Sequence, residues 1–246
     1  MLIALLADVH ANLEALNACL DHARTRGAQR FVFLGDLVGY GADARGVVEV
    51  VSRYAAEGAL VLKGNHDQAI ERSAGYFNDA SRAALEWARE TLTQDQKRFL
   101  AGLPLVVRED EVCYVHASAA APERWDYIDS PAAAQRCADA AHACYTFCGH
   151  VHDQVLYFAG ARGRMSEFRP FSGTAIPVRS HRRWVGIVGS VGQPRDRNPA
   201  AAYTLFDLGR QLVTFFRVPY DAPAAAEKIR ACGLPAALAY RVELGI

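Results

Sequence analysis

Five short runs in this chain of 246 residues carry side chains that could do chemistry: Asp8-x-His10, Gly35-Asp36-Leu37-Val38-Gly39-Tyr40-Gly41, Gly64-Asn65-His66-Asp67, His116-Ala117-Ser118 and Gly149-His150-Val151-His152. Together they offer imidazole, carboxylate and carboxamide donors. Imidazole suits Zn, Mn, Fe or Ni, and carboxylates suit the harder of these ions. An Asp-x-His or His-x-His spacing in a loop leaving a strand lets both side chains turn toward one point, as strand alternation also permits. One carboxylate placed between two divalent cations can bridge them at about 3.5–4 Å, an arrangement suited to hydrolysing phosphate esters. Each run alone has a bland reading: a lone His is commonly structural, and Gly-Asn-His-Asp can simply be a turn. What gives them weight is their order, with each run at the exit of a strand.

The elements that would position them are visible in the periodicity. Residues 2–7 are a continuous apolar run, as a strand buried on both faces requires. Leu13, Leu16, Leu20 and Ala23 recur at helical spacing until Gly27. Residues 30–34 form the next strand, Val47, Val48, Val51, Tyr54 and Ala55 a second amphipathic helix, and 59–63 a third strand. Strand–helix–strand repeated twice implies right-handed crossovers and a parallel sheet. In an open α/β sheet, ligands bind outside the carboxyl ends of the strands, where the five runs fall.

Further along, residues 79–91 read as a helix, and Thr93 with Gln96 as a capping box opening another. Residues 105–107 and 112–115 read as a hairpin, Ser130-Pro131 as a helix start, and 143–147 as a strand. From 155 to about 217 the pattern is mostly strands. Asp221-Ala222-Pro223 opens a closing helix ended by Gly233, which could dock on the sheet or on a second subunit, so a homo-oligomer stays open. The segment 160–183, rich in Arg, Ser and Gly, stands out as an excursion from the core. With no convincing linker or repeat, the expectation is one domain over 1–246.

Composition bounds the function. The chain is 51% hydrophobic and 22% charged, ordinary for a globular protein, and 27 basic residues balance 27 acidic ones. No basic stripe suggests a nucleic-acid partner or a membrane-surface anchor. The six cysteines, Cys19, Cys113, Cys137, Cys144, Cys148 and Cys232, contain no C-x-x-C pair and read as reduced thiols. The apolar N-terminus lacks a charged leader and is too short to span a membrane, so the expected location is cytoplasmic.

The ordered set of runs, with the later Gly189-Ser190-Val191-Gly192-Gln193-Pro194-Arg195-Asp196, resembles the calcineurin-like metallophosphoesterase family, in its small bacterial and archaeal phosphodiesterase-like branch. The resemblance spans residue 2 to about 207. It implies an α/β, four-layer αββα sandwich of two mixed β-sheets flanked by helices. By position it implies that Asp8, His10 and His152 bind a first metal, that Asn65, His116 and His150 bind a second, and that Asp36 bridges them, with manganese favoured over iron, zinc or nickel. His66 would not be a ligand. It would face the substrate and, protonated or as a hydrogen-bond donor, assist the leaving oxygen. Arg195 is the candidate phosphate clamp, since Arg offers a planar fork of donors. Asn12 is read as the cap of the first helix, while Trp125 and Tyr127 fit a substrate pocket or plain packing.

The implied activity is a binuclear metal-dependent phosphoesterase that hydrolyses phosphomonoesters or phosphodiesters through a metal-bridging hydroxide, on a small, nucleotide-like substrate. Some positions depart from relatives. Gly39-Tyr40 stands where protein Ser/Thr phosphatases have Asp-Arg, which argues against that specialisation. Ala11 replaces a Gly and Ile187-Val188 an Asn-Pro, neither at a ligand position. The alternatives are a nuclease, against which the balanced charge weighs, or a dinucleoside polyphosphate hydrolase, and a catalytically weak scaffold of the same fold, against which the intact ligand positions weigh.

Overall fold

The structure, a computed structural model, describes residues 1–71, 77–160 and 163–246. Its first half is the alternation read from the sequence: β1 (Leu2–Leu6), α1 (Leu13–Thr25), β2 (Arg30–Phe33), α2 (Ala44–Ala56), β3 (Leu60–Val61) and α3 (Asn65–Glu71). Next come α4 (Asp79–Thr91), α5 (Gln94–Ala101), β4 (Val106–Glu109), β5 (Val112–Val115), α6 (Pro131–Ala141) and β6 (Tyr145–Cys148). The remainder is β7 (Gln154–Ala159), β8 (Met165–Phe168), β9 (Ala175–Pro177), β10 (Trp184–Val188), β11 (Ala201–Asp207), β12 (Leu212–Val218), α7 (Ala222–Ala231) and α8 (Ala236–Leu244).

The strands make two six-stranded mixed sheets, ordered β3-β2-β1-β11-β12-β9 and β4-β5-β6-β10-β7-β8. β1, β2 and β3 are parallel neighbours in the first, and β5, β6 and β10 in the second. Side-chain alternation along β1 explains the layering. Ile3 and Leu5 enter a core shared with Tyr114, Tyr145, Phe147 and Phe206, between the sheets. Ala4 and Leu6 face the opposite way, into a core with Leu16, Leu20, Val47 and Val51 of α1 and α2. A third cluster joins Cys113, Val185 and Ile187 of the second sheet to Ala134, Cys137 and Ala138 of α6. Helices, two sheets and a helix are thus stacked as the expected four layers. The interlayer rings of Tyr145 and Phe147 lie 4.9 and 5.0 Å from that of Phe206, and truncating such a buried ring costs roughly 3–5 kcal/mol.

Several local readings hold. Asn12, Thr93 and Ser130 cap α1, α5 and α6 as their side chains suggest, with Pro131 in the first turn of α6. Others change. The third strand pairs only over Leu60–Val61, because the Lys63 amide bonds to Pro104 O and leaves the sheet. Gly64-Asn65-His66-Asp67 leads directly into a helix rather than staying a turn. Segment 160–183 is not an insert: its described part supplies β8 and β9, an edge strand to each sheet, while 161 and 162 lie outside the described residues. Past Gly233 a second helix, α8, follows, and α7–α8 dock on this chain's own Tyr40 and Ala84. Among the described residues no helix is long and apolar enough to cross a membrane.

Candidate active site

Six parallel strands end at one edge of the sandwich, and their exit loops are bonded to one another. The loop after β1 donates from Asp8, His10 and Ala11 amides to Gly35, Asp36 and Leu37 carbonyls, at 2.9–3.0 Å. It accepts at Ala7 and Asp8 carbonyls from Val191 and Gly192 of the loop after β10. Gly149 N donates to His116 O, joining the loops after β6 and β5. This lacing holds Asp8, His10, Asp36, His150 and His152 in left-handed backbone, with φ of 53°, 48°, 54°, 67° and 71°. Such conformations cost of order 1–3 kcal/mol each and persist only where the surroundings impose them.

Asp8, His10, Asp36, His116, His150 and His152 bring their donor atoms together, and Asn65 lines the same cleft. His10 Nδ1 donates to Val38 O at 3.1 Å and His152 Nδ1 to Gln193 O at 2.5 Å. With those protons committed, both Nε2 atoms present lone pairs, and they face each other at 3.2 Å. Asp8 Oδ1 lies 3.8 and 3.4 Å from the same two nitrogens. On the other side, His116 Nδ1 donates to Leu34 O, which turns its Nε2 toward His150 Nδ1 at 3.2 Å and Asp36 Oδ2 at 3.4 Å. Asp36 Oδ2 is also 3.7 Å from His10 Nε2, so one carboxylate oxygen stands between the two groups. Its partner Oδ1 is held by the His66 amide at 2.8 Å. A β-carbon at Gly64 would collide with that Oδ1, which is why glycine precedes Asn65. Asn65 Oδ1 is buried without a hydrogen-bond partner.

Facing lone pairs beside two buried carboxylates repel unless something positive lies between them, so the donor set fits cations. The ligand atoms of Asp8, His10 and His152 lie within 4.8 Å of one another, as do those of Asp36, His116 and His150. A third set joins His10, Asp36 and His66.

The protonation pattern agrees with this reading. Burial holds His10 well below the imidazole range against the pull of Asp36, burial and then Arg195 hold His152 there, and burial takes His150 down to about 3. Burial would lower His116 as well, but Asp36 reverses that and raises it to about 9. Burial would raise Asp36, yet His116 and His66 keep it ionised, well below the carboxylate range. Burial pushes Asp8 up to about 7. Proton loss from Asp8 and His116 therefore accompanies cation binding. Both folded-state values exceed the free-residue values of 3.8 and 6.5, so in the metal-free protein the contribution of Asp8 is lost as pH rises from about 4 to 7 and that of His116 from about 6.5 to 9, while the lowered His10, His66, His150 and His152 contribute with the opposite sign below about 6.5. The expected result is that Mn²⁺ raises Tm over the chelated protein by an increment that grows between pH 6 and 8.5. A constant increment across that range, measured by scanning calorimetry, contradicts this.

His66 sits beside the donors, its ring 4.9 Å from His10, 4.6 Å from Tyr40 and 5.0 Å from Phe77. Its Nδ1 is buried and unpartnered where Gly39 leaves room for the ring. Burial lowers it to about 4, which favours an uncharged ring at neutral pH. Arg195 lines the same cleft, 3.5 Å from Tyr40 Oη and 3.3 Å from Gln193 Oε1. Tyr127 stacks on His150 at 4.2 Å and also lines the cleft, whereas Trp125 packs edge-on against His116 and bonds to Gln68. His22 lies outside the site, bonded to Tyr203 Oη.

Sequence reasoning missed three contributors. Asp67 accepts from Leu37, Val38 and Gly64 amides and so ties the loop after β2 to that after β3. Gln193 fixes the His152 tautomer through its carbonyl, and Ser190 Oγ donates to Asp8 O. All three lay inside noted runs, but they act through partners that sequence spacing does not reveal.

A calcineurin-like phosphoesterase superfamily domain matches residues 1–211. An uncharacterized protein of Methanocaldococcus jannaschii is 32% identical over 99% of this chain and 98% of its own length. The crystal structure of a metallophosphoesterase from Sphaerobacter thermophilus superposes with a TM-score of 0.90 at 33% identity, covering 100% of this chain and 99% of that one. A hypothetical protein of Pyrococcus horikoshii shares the fold, with a TM-score of 0.81 at 20% identity over 100% and 98% of the two chains. The chain belongs to the calcineurin-like phosphoesterase superfamily, a family of metal-dependent phosphoric ester hydrolases.

Proposed function

We propose that this protein hydrolyses a small, nucleotide-like phosphate ester with two divalent cations bound at the strand exits. The observation that carries the reading is Asp36 Oδ2 standing 3.7 Å from His10 Nε2 and 3.4 Å from His116 Nε2. One ion would be held by Asp8, His10, Asp36 and His152, the other by Asp36, Asn65, His116 and His150. Bound there, two such ions would make a water acidic enough to attack at neutral pH and would neutralise phosphoryl charge. Mixed imidazole and carboxylate donors suit manganese. The chain's own residues would do the rest: neutral His66 donates a hydrogen bond to the leaving oxygen, and the Arg195 guanidinium orients a non-bridging phosphate oxygen. The cleft beside them holds about 240 Å³, below the roughly 300–1,000 Å³ of drug-sized ligand sites, which supports a small substrate. Six unpaired cysteines support a reducing, cytoplasmic setting.

The test is turnover. Protein stripped by chelator and reloaded with Mn²⁺, Fe²⁺, Zn²⁺ or Ni²⁺ is offered mono- and diester substrates. Hydrolysis that disappears on chelation and returns with about two equivalents of metal is expected. Turnover that survives complete metal removal would sink the proposal.

A further inference from the structure

The superfamily match ends at residue 211, and the chain continues through β12, α7 and α8. Leu238, Ala239 and Val242 of α8 are buried in one cluster with Tyr40 and Ala84. The helix is thereby wedged between the loop after β2 and α4. That packing sets Arg241 in the wall of the cleft lined by Asp36, His66 and His150. Arg195 lines the same cleft, so two arginines border a space of about 240 Å³.

The nearest carboxylates in sequence are committed elsewhere. Asp196 pairs with Arg217 at 2.9 Å and Glu243 with Arg230 at 2.7 Å. Among the described residues neither Arg195 nor Arg241 has an ion-pair partner. Arg195 lies 3.3 Å from Gln193 Oε1 and 3.5 Å from Tyr40 Oη, on the residue whose carbonyl holds His152 and on the ring that packs against His10 and His66, whereas Arg241 enters the wall from α8. Arg195 is thus the inner guanidinium, beside the metal ligands, and Arg241 the outer one. Asn78 and Ser81 line the cleft too, and since Asn78 Oδ1 accepts from Ser81 N and Oγ, its Nδ2 is left as a further donor.

A single phosphoryl group at the metal centre, with Arg195 beside it, leaves the outer guanidinium without an anion. Unpaired cationic groups in a confined cleft are costly, and a guanidinium fork matches phosphate oxygens in a bidentate way. We propose that Arg241, assisted by Asn78, forms a second anion subsite, and that the substrates are small esters whose leaving group carries its own phosphate. This rests on the hydrolase reading of the metal centre. It adds a specificity determinant from the C-terminal helices, outside the matched domain.

The experiment uses full-length, Mn²⁺-loaded protein and two substrates differing only at the far end: 1,3-propanediol bisphosphate and 3-hydroxypropyl phosphate. Wild type is expected to prefer the bisphosphate roughly 10–100-fold in kcat/KM, the range of one charge-assisted contact. In Arg241→Ala that ratio is expected to fall toward one, and in Arg241→Lys to fall only partly. In parallel, calorimetric binding of propane-1,3-bisphosphonate and propylphosphonate to wild type and Arg241→Ala reads the subsite without turnover. Hydrolysis of both esters with equal kcat/KM in wild type, or a ratio unaltered in Arg241→Ala, overturns the subsite and leaves the hydrolase reading intact. Absence of hydrolysis with Arg241-dependent preference for the bisphosphonate keeps the subsite and removes the hydrolase reading.

Discussion

Replacing Asp36 by Asn is expected to lower kcat/KM on any substrate the protein turns over by roughly 10³-fold or more and to reduce bound metal from two equivalents to one or none. Asn preserves shape and can still accept the His66 amide bond that Asp36 Oδ1 accepts at 2.8 Å. What it removes is the negative charge on the one oxygen shared by both ligand groups. Polarisation of a phosphoryl oxygen by bound cations lowers the barrier by several kcal/mol, so losing an ion has an effect of this size. The same charge raises His116 to about 9, and without it that ring should titrate lower. Elemental analysis beside steady-state kinetics checks both parts. Full activity with two retained metals would remove Asp36 from the bridging role.

His66→Ala separates chemistry from metal binding. The ring carries no charge at neutral pH and packs against Tyr40 and Phe77, so its substitution leaves the donors of Asp8, His10, His116, His150 and His152 in place. A lost hydrogen-bond donor to the developing charge costs roughly 10²–10³-fold in kcat. The variant is therefore expected to hold two metal equivalents and to be slower by that factor. Because His66 also lies with His10 and Asp36 in a third potential ligand set, the metal count is decisive. Loss of one equivalent would make His66 a ligand.

Much of the architecture could be read before any coordinate. Continuous apolar runs alternating with helical periodicity, each punctuated by glycine, specify parallel strands, and parallel strands place their exits on one edge. The donor-bearing runs could then be assigned to a common edge by order alone. What the sequence concealed has local causes. α8 follows α7 after only a few residues and buries three small or apolar side chains among exposed ones, too weak a stripe to notice. β9 is three exposed or half-exposed residues at an edge, held mainly by β12. Asn65 and His66 look like turn residues, and only the Asp36 carboxylate accepting the His66 amide shows why a helix begins there.

The site divides the same way. Residue type told which atoms can bind metal, but not which are free to do so. That followed from carbonyls of Val38, Leu34 and Gln193 taking the Nδ1 protons and aiming three Nε2 atoms inward. Asp67 and Gln193 matter through backbone groups brought near by tertiary structure, and Arg241 through the docking of a helix. No spacing rule reports such contacts.

The most direct measurement is an anomalous-scattering map from crystals of the Mn²⁺-loaded protein. Two peaks are expected on either side of the Asp36 carboxylate, one among Asp8, His10 and His152 and the other among Asn65, His116 and His150. A single peak, or peaks away from Asp36, would contradict a binuclear centre built on that residue.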